Sequence, residues 1–203
     1  MSPHIPKNAP LLVVISGPSG VGKDAVIAKL RETHPEIFFA VTATTRPIRS
    51  GETEGRDYFF LTPSRFADLL ALGEFLEHAE VYGMQYGVPR DPLRRALAEG
   101  HDAVVKVDVQ GAVTIQALAP DAFLVFLAAP SVEELERRLT NRKTDSPEQL
   151  DIRIQTARNE MEQSQSFDTV IVNETDALVQ TVEAIVESIQ NQRADASRRP
   201  VVL

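Results

Sequence analysis

The sequence predicts an α/β fold in which a parallel sheet is flanked by helices. Short apolar runs alternate along the chain with stretches of helical periodicity, and this alternation favours parallel strands covered by helices. With 203 residues, the chain is long enough for one such domain with a full core and a small inserted subdomain. The predicted buried strands are Leu11–Ser16, Ala103–Val107, Phe123–Leu127 and Val170–Asn173. The predicted helices of this domain are Gly22–Thr33, Gly111–Leu118, Val132–Thr140 and Asp176–Ile189.

The first strand is followed by a glycine-rich loop with the sequence Gly17-Pro18-Ser19-Gly20-Val21-Gly22-Lys23-Asp24. A strand, such a loop and a helix, in that order, form a P-loop, in which backbone N–H groups and the helix N-terminus surround phosphate oxygens. Lys23 is placed to reach the β and γ phosphates, whereas Asp24 stands where a Ser or Thr hydroxyl usually faces Mg²⁺. The loop therefore predicts a nucleotide phosphate site with an unusual metal position, against the alternative of an ordinary glycine turn.

Two regions interrupt the alternation of strands and helices. Residues 42–91 carry short mixed strands, glycine turns and one helix near Ser64–Leu72, which we interpret as an inserted α+β subdomain. The polar residues at about 141–148 lie between two helices and are predicted to form a short lid, followed by a long helix from about Glu148 to Ser164. The core domain then comprises residues 10–41 and 92–190, and the ends at residues 1–9 and 191–203 are predicted to be flexible tails.

Composition and charge exclude several classes of protein. The net charge of −8, from 21 basic and 29 acidic residues, argues against a general nucleic-acid binder, which usually has a basic surface. The sequence contains no cysteine, so it can form neither a disulfide nor a thiolate metal site. No apolar run approaches the ~20 residues that cross a bilayer, and Met1–Pro10 lacks a signal-peptide core. We therefore expect a cytoplasmic protein with no membrane or nucleic-acid partner.

A second set of phosphate-binding groups lies at the start of the inserted region, in the segment Thr42-Ala43-Thr44-Thr45-Arg46-Pro47-Ile48-Arg49. Two arginines close together beside several hydroxyls match what a dianionic phosphate needs, because each guanidinium can bind phosphate oxygens bidentately. Tyr58 and Tyr86 follow, and a tyrosine can donate to a phosphate or stack on a base. Each piece alone is more typical of surface arginines and half-buried tyrosines than of a phosphate site.

Together, these pieces occur in an order and spacing that resemble the guanylate kinase family over about residues 10–190. The matching segments are GPSGVGK, TATTRPIRSGETEGRDYFF, GEFLEHAEVYGMQYGVP, VDVQG, APSVEELERRLTNR and VIVNE. The resemblance implies a P-loop sheet with an inserted subdomain for a nucleoside monophosphate and a short lid. It also implies ATP binding at Gly17–Asp24, GMP binding in the insert, and Mg²⁺-assisted transfer of a phosphoryl group from ATP to GMP.

The resemblance also implies roles for individual residues. The residues that fall where the family grips the GMP phosphate are Arg46, Arg49, Tyr58 and Tyr86. The residues that correspond to family groups at the transferring phosphate are Lys23, Arg138, Arg142 and Arg153. Glu77 and Asp108 fall where carboxylates accept from guanine N1–H and the 2-amino group, and Thr42 matches a hydroxyl beside the base. The alternatives are a solvated charge for Glu77, a cap at a strand end for Asp108, and surface i,i+4 pairs for the arginines.

Three positions depart from the family pattern. Asp24 replaces a hydroxyl, Lys106 replaces an acidic residue, and Val88 replaces a hydroxyl near the guanine. Because the residue after the loop lysine faces the end of a neighbouring strand across the metal position, we predict that Asp24 and Lys106 face each other. Asp24 would then supply a carboxylate to Mg²⁺ or its waters, while Lys106 pairs with Asp24 or a phosphate. The alternative is a degraded metal site in a weak kinase.

Two other functions are compatible with parts of the sequence. Ribose 1,5-bisphosphate kinases resemble guanylate kinases and often carry Gly-Lys-Asp in this loop, but they generally lack the two-carboxylate guanine signature. A non-catalytic guanylate-kinase-like module that reads phosphorylated peptides has no need to keep Lys23 and the loop glycines. The sequence therefore favours guanylate kinase, and it leaves the oligomeric state open.

Overall fold

A computed structural model of the chain describes residues 9–81, 83–140 and 147–203. Its strands are β1 (Leu12–Ser16), β2 (Phe38–Phe39), β3 (Ala43–Thr44), β4 (Phe59–Phe60), β5 (Phe75–Val81), β6 (Met84–Pro89), β7 (Ala103–Lys106), β8 (Phe123–Ala128) and β9 (Thr169–Val172). Its helices are α1 (Lys23–Thr33), α2 (Pro63–Ala71), α3 (Arg90–Ala98), α4 (Val109–Leu118), α5 (Val132–Thr140), α6 (Pro147–Glu162) and α7 (Leu178–Ala194). None of these described helices is long and apolar enough to cross a membrane. Arg142 and residues 141–146 of the predicted lid lie outside the described residues.

Five strands form the parallel sheet that the sequence predicts, in the spatial order β2-β7-β1-β8-β9. The strand that leads into the P-loop, β1, lies in the middle, between β7 and β8. The register places Ile15 beside Lys106, so the carboxyl ends of β1 and β7 meet at one edge of the sheet. Open α/β sheets bind their ligands at this edge, and the P-loop lies there.

Strand β1 is buried on both faces. Val13 and Ile15 belong to an apolar cluster shared with α1, α5 and α7, whereas Leu12 and Val14 belong to a second cluster shared with α3 and α4. Successive side chains of a strand point to opposite faces, so this continuous apolar run is what a sheet covered on both sides requires. The P-loop therefore starts from a strand that is buried along its whole length.

Residues of the predicted insert form a second, four-stranded sheet in the order β4-β3-β6-β5. Strands β5 and β6 are an antiparallel hairpin, while β3 pairs with β4 in parallel. Phe66 of α2 stacks on Phe75 of β5 with ring centroids 4.5 Å apart, which gives this sheet a small apolar core of its own. The division of the chain into core, insert and lid stays a prediction.

The C-terminal tail from residue 191 has contacts with the domain, and its predicted flexibility stays a prediction. Helix α7 continues past that position, and the Arg198 guanidinium donates to the carbonyl of Ala9. Val201 and Leu203 pack against the apolar cluster that the sheet shares with α4. The polar composition of the tail favoured disorder, but one arginine and two apolar side chains give it contacts that composition does not reveal.

Candidate active site

A cavity of about 670 Å³ opens at the carboxyl edge of the parallel sheet. Its walls come mainly from the P-loop with the first turn of α1, from the segment between β7 and α4, and from the β5–β6 hairpin. The charged and phenolic groups that line it are Lys23, Asp24, Tyr58, Glu77, Tyr86, Lys106 and Asp108. One cavity therefore contains both the phosphate loop and the two carboxylates that the sequence analysis singles out.

At Gly17 and Gly22, among others, the P-loop backbone has a shape that only glycine permits. Gly17 has a φ of +141°, and a Cβ there would lie 2.2 Å from the carbonyl oxygen of Leu127. Gly22 has a φ of +99°, and a Cβ there would lie 2.7 Å from Nδ2 of Asn173. The Asn173 amide donates to the Val21 carbonyl at 2.7 Å, so the residue after β9 fixes the loop through a hydrogen bond. Asn173 belongs to the VIVNE segment, but its contact with the loop is not visible in the sequence.

Lys23, at the start of α1, folds back into the loop that precedes it. Its ammonium group donates to the carbonyls of Gly17 and Pro18, at 3.0 Å for Pro18. Burial lowers the pKa of Lys23 to about 8, while the carboxylates of Glu160 and Asp24 act in the opposite direction. A phosphate entering the loop would offer this desolvated ammonium a charged partner, which is stronger than a carbonyl.

Helix α6 contacts the P-loop through Ser19. The Glu160 carboxylate accepts from the Ser19 N–H at 3.1 Å, and the Arg153 guanidinium donates to the Ser19 hydroxyl at 2.9 Å. Arg153 is one of the predicted catalytic residues, whereas Glu160 is absent from the sequence-based set. Glu160 lies two helical turns after Arg153, and this same-face spacing is the signal that could have found it.

Arg138 lies beside the loop but is not among the residues that line the cavity. Its guanidinium donates to the Glu134 carboxylate at 2.7 Å and to the Asn173 carbonyl at 3.0 Å. The pair with Glu134 is the i,i+4 interaction that the sequence allows as an alternative. In this structure Arg138 therefore holds the segment after β9. Arg142 lies outside the described residues.

Asp24 and Lys106 form an ion pair, which confirms the prediction that they face each other. The Lys106 ammonium donates to Oδ1 of Asp24 at 2.6 Å, between the first turn of α1 and the end of β7. The side chain of Lys106 is 34% exposed and that of Asp24 is 77% exposed, and both line the cavity. The carboxylate of the loop and the ammonium of the neighbouring strand are thus direct partners.

Glu77 is a buried carboxylate on the wall of the cavity. It lies on β5, is only 8% exposed, and accepts no hydrogen bond from the described residues. Burial, and secondly the charge of Asp108, raises the pKa of Glu77 to about 7. The alternative of a solvated surface charge is therefore wrong, because the side chain is buried in the wall.

Asp108 is the N-cap of α4. Its Oδ1 accepts from the Gly111 N–H at 2.7 Å, so the cap that the sequence allows as an alternative is present. A Cβ at Gly111 would lie 3.2 Å from Cδ of Glu77 and 3.3 Å from Oδ1 of Asp108, so both carboxylates approach α4 closely. The cap uses only part of the hydrogen-bonding capacity of Asp108, because an ionised carboxylate accepts about four hydrogen bonds.

A smaller cavity, of about 350 Å³, contains Arg46 and Arg49. Arg46 is buried, and its two terminal nitrogens donate to the two oxygens of Glu52 at 2.8 and 2.9 Å. The backbone N–H of Arg49 also donates to Glu52, at 2.8 Å. These contacts, that with Arg46 above all, lower the pKa of Glu52 to about 2. Glu52 is absent from the residues predicted from the sequence. Its carboxylate binds the two terminal nitrogens of Arg46, which we call the arginine fork, and a guanidinium binds phosphate in the same way.

The two cavities share one wall. The residues that line both are Asp24, Thr42, Tyr58 and Lys106. The Tyr58 ring lies 5.1 Å from the Arg46 guanidinium and edge-on to Tyr86, with ring centroids 6.1 Å apart. Val88 is buried and lines the larger cavity. The P-loop and the arginine fork therefore lie on either side of a common boundary.

Comparisons with known proteins point to a single family. The family model described as guanylate kinase matches residues 10–192. A guanylate kinase from Thermobifida fusca (strain YX) is 49% identical over 162 residues, which cover 80% of this chain and 83% of that protein. Guanylate kinase 2, chloroplastic/mitochondrial, from Oryza sativa subsp. japonica is 42% identical over 200 residues, which cover 98% of this chain and 70% of that protein. The crystal structure of guanylate kinase from Anaplasma phagocytophilum matches with a TM-score of 0.76 at 32% identity, covering 94% of this chain and 90% of that one.

Proposed function

Because this chain belongs to the guanylate kinase family, we propose that it transfers the γ-phosphoryl group of ATP to GMP, giving ADP and GDP. The observation that carries this proposal is the single cavity lined by the P-loop together with Glu77 and Asp108. A P-loop alone indicates only a nucleotide phosphate. Two neighbouring carboxylates select a base with two adjacent donors, and guanine has such a pair in N1–H and its 2-amino group, whereas adenine does not.

On the acceptor side, we propose that Glu77 and Asp108 bind the guanine edge and that Thr42 lies beside the base. The residues proposed to bind the GMP phosphate are Arg46, Arg49, Tyr58 and Tyr86. Support comes from the Glu52 carboxylate, which already receives hydrogen bonds from the Arg46 fork and from the Arg49 backbone. A phosphate presents similar oxygens to a guanidinium, so the fork is built for an anion.

On the donor side, residues 17–24 would surround the β and γ phosphates of ATP with backbone N–H groups. Lys23 would exchange its two carbonyl partners for phosphate oxygens. Arg138, Arg142 and Arg153 are proposed to neutralise charge on the transferring group, and the contact of Arg153 with Ser19 supports this role for Arg153. An ionised phosphate oxygen of GMP attacks the γ phosphorus in line, the bond to the β–γ bridging oxygen breaks, and ADP leaves. Because the attacking oxygen is already ionised, the step needs no general base.

We propose that Mg²⁺ enters the site with ATP. The described residues contain no group of three or more His, Cys, Asp or Glu side chains that could hold a metal ion. Mg²⁺ in such enzymes is held by phosphate oxygens, waters and one or two carboxylates, and Asp24 offers one carboxylate at the loop. The donor set therefore fits an ion bound mainly by the nucleotide, where it would neutralise charge on the β and γ phosphates.

A coupled assay of ADP release tests the proposed reaction. The full chain is supplied with ATP and Mg²⁺ and then with GMP, dGMP, AMP or ribose 1,5-bisphosphate in turn. We expect turnover with GMP and a kcat/KM for AMP that is lower by about 10⁴-fold, because adenine leaves the carboxylates unpaired. Lack of GMP-dependent ADP release would overturn the proposal. Turnover with ribose 1,5-bisphosphate alone would identify a sugar-phosphate kinase, and phosphopeptide binding without turnover would identify a non-catalytic module.

We also propose that the protein acts on free nucleotides in the cytoplasm. Both proposed substrates are small and soluble, and a net charge of −8 gives little attraction to nucleic acid. Fractionation of cells that express the chain tests this proposal, and recovery of most of the protein with membranes would contradict it.

A further inference from the structure

The wall shared by the two cavities contains the ion pair of Lys106 and Asp24. The proposed reaction gives the Asp24 carboxylate a role at Mg²⁺ but gives the Lys106 ammonium none. Among the residues that line both cavities, Lys106 is the cation and Asp24 is the anion. A phosphoryl group that moves from the P-loop to the arginine fork has to pass this wall. The groups on the wall would therefore lie closer to the reacting phosphates than the groups at the far end of either cavity.

Asp24 taken alone opposes phosphate binding. It lies in the first turn of α1, directly after Lys23, where the loop amides and the helix N-terminus attract anions. A carboxylate at this point competes with phosphate for the same positive field and repels it. The Lys106 ammonium, 2.6 Å from Oδ1 of Asp24, offsets this repulsion.

The position of Lys106 favours a second contact beyond Asp24. Its Cα lies beside that of Ile15 at the carboxyl edge of the sheet, next to the start of the loop. Its charge also acts on Lys23, where it is one of the causes of the lowered pKa, so the two ammonium groups lie within electrostatic reach of each other. Two cations so placed attract an anion that can contact both, and the P-loop is a site for phosphate.

We propose that Lys106 is a phosphate-binding residue at the junction of the two nucleotide sites and that its bond to Asp24 holds it there. An ammonium group has three donors, so Lys106 can keep its bond to Asp24 while it donates to oxygens of the phosphoryl group in transfer. This inference rests on the proposed kinase function and adds a binding residue to it. Lys106 is the counterpart, on the strand side, of Lys23 in the loop.

A bisubstrate probe separates contact at the junction from contact at either end. Adenosine and guanosine joined through five phosphates fill both sites and the junction, whereas ADP and GMP each fill one site. Affinities of the full chain for the three molecules are measured by calorimetry, with Mg²⁺ and again with a chelator. The informative comparison is Asp24→Ser against Asp24→Ser/Lys106→Met, because removal of the carboxylate removes the neutralising role of Lys106.

In the Asp24→Ser background, we expect Lys106→Met to weaken the bisubstrate by about tenfold or more, the size of one lost charge-assisted hydrogen bond. ADP and GMP should change by less than about threefold, because neither reaches across the junction. Lys106→Arg should keep most of the affinity, since it keeps the cation. Lys29→Met is the matched control: Lys29 is 31% exposed and pairs with Glu32 at 2.9 Å, but it lines neither cavity.

Equal bisubstrate affinity of Asp24→Ser and its Lys106→Met derivative would overturn the proposal and leave Lys106 as a neutralising partner only. Equal loss of all three molecules would also overturn it, because that pattern indicates a structural role. Should Lys106→Met fail to fold, as judged by thermal unfolding, Lys106→Gln carries the same comparison. A wild-type chain that binds ADP but neither GMP nor the bisubstrate would contradict the proposed function instead.

Discussion

The half of the site proposed to bind ATP, the phosphoryl donor, and the half proposed to bind GMP, the phosphoryl acceptor, are built in opposite ways. We call them the donor half and the acceptor half. In the P-loop, polar groups already have protein partners: Lys23 donates to two loop carbonyls, Ser19 contacts α6, and Asn173 binds a loop carbonyl. On the acceptor side, Glu77 is buried, accepts no hydrogen bond from the described residues, and has a pKa raised to about 7. The donor half is preformed by its backbone, whereas the acceptor half keeps a carboxylate that has no hydrogen-bond partner among the described residues.

This difference explains how one cavity can treat the two nucleotides differently. Backbone N–H groups recognise phosphate, which every nucleotide carries, so the donor half needs shape rather than a choice of base. A buried carboxylate discriminates, because a base without the matching donors displaces water from the carboxylate and leaves it unpaired. Selectivity should therefore depend on the acceptor half, and substitutions there should affect GMP alone.

The largest effect confined to one half is expected for Glu77→Gln. The amide offers guanine one acceptor and an opposing donor group, so two charge-assisted hydrogen bonds are lost. We expect kcat/KM for GMP to fall by about a thousandfold, or ~4 kcal/mol, while the Kd for ADP stays within about twofold. Glu80→Gln, on the exposed end of the same strand, is the matched control and should leave both values unchanged. Equal losses for GMP and ADP would show that the two halves are not independent.

Gly17→Ala is the corresponding test of the donor half. The new Cβ would lie 2.2 Å from a backbone oxygen of Leu127 at a φ of +141°, so the loop must move or β8 must yield. We expect unfolding in urea to show a loss of about 3 kcal/mol and ADP affinity to fall more than GMP affinity. Gly73→Ala is the control, because its φ of +70° brings backbone strain but no atom within 4 Å. It should lose only about 1–2 kcal/mol, and equal losses in the two variants would mean that the loop tolerates the clash.

The same contrast decides which parts of the molecule the sequence could predict. The donor half lies in eight consecutive residues, Gly17–Asp24, and the strands around it have buried apolar runs, so β1, β7, β8 and β9 match their predicted bounds within one residue. Helix α3 and strand β2 were not predicted. Strand β2 is only two residues long. Helix α3 contains Pro92, which in a sequence argues against a helix, although the first turn of a helix tolerates proline.

The acceptor half depends on contacts between distant segments. The resemblance implied roles for Glu77 and Asp108, but the burial of Glu77 and its approach to α4 follow from the packing of β5 on that helix. Glu52 escaped prediction because the orientation of its partner, Arg46, is encoded by no periodic pattern. Glu160 was missed although its helical spacing from Arg153 places both side chains on the face that contacts Ser19. The pair of Asp24 and Lys106 was predictable, because parallel strand ends meet at one edge of a sheet.

The free energy of unfolding of Glu77→Gln gives a further test of the difference between the two halves. The folded pKa of Glu77, about 7, lies above its ordinary value of 4.5, so the folded chain holds this proton more tightly than the unfolded chain. The resulting stabilisation is present below pH 4.5 and is lost as the pH rises through 7. We therefore expect Glu77→Gln to be more stable than the wild type by about 1–3 kcal/mol at pH 8, with a smaller gain at pH 5. Urea unfolding at both pH values measures this, and a variant that is less stable at pH 8 would contradict the unpaired carboxylate.

The smallest expected effect is the pH dependence of GMP binding. Above pH 7, Glu77 is ionised and can accept from both donors of guanine, whereas below it the carboxyl carries its own proton. The KM for GMP should therefore rise as the pH falls below 7, approaching about tenfold per pH unit, while the Kd for ADP follows no such trend. The GMP phosphate titrates near pH ~6 as well, so Glu77→Gln supplies the baseline, because it keeps the phosphate and lacks the carboxyl. Identical pH profiles in the two proteins would contradict the raised pKa of Glu77 and with it the contrast between the two halves.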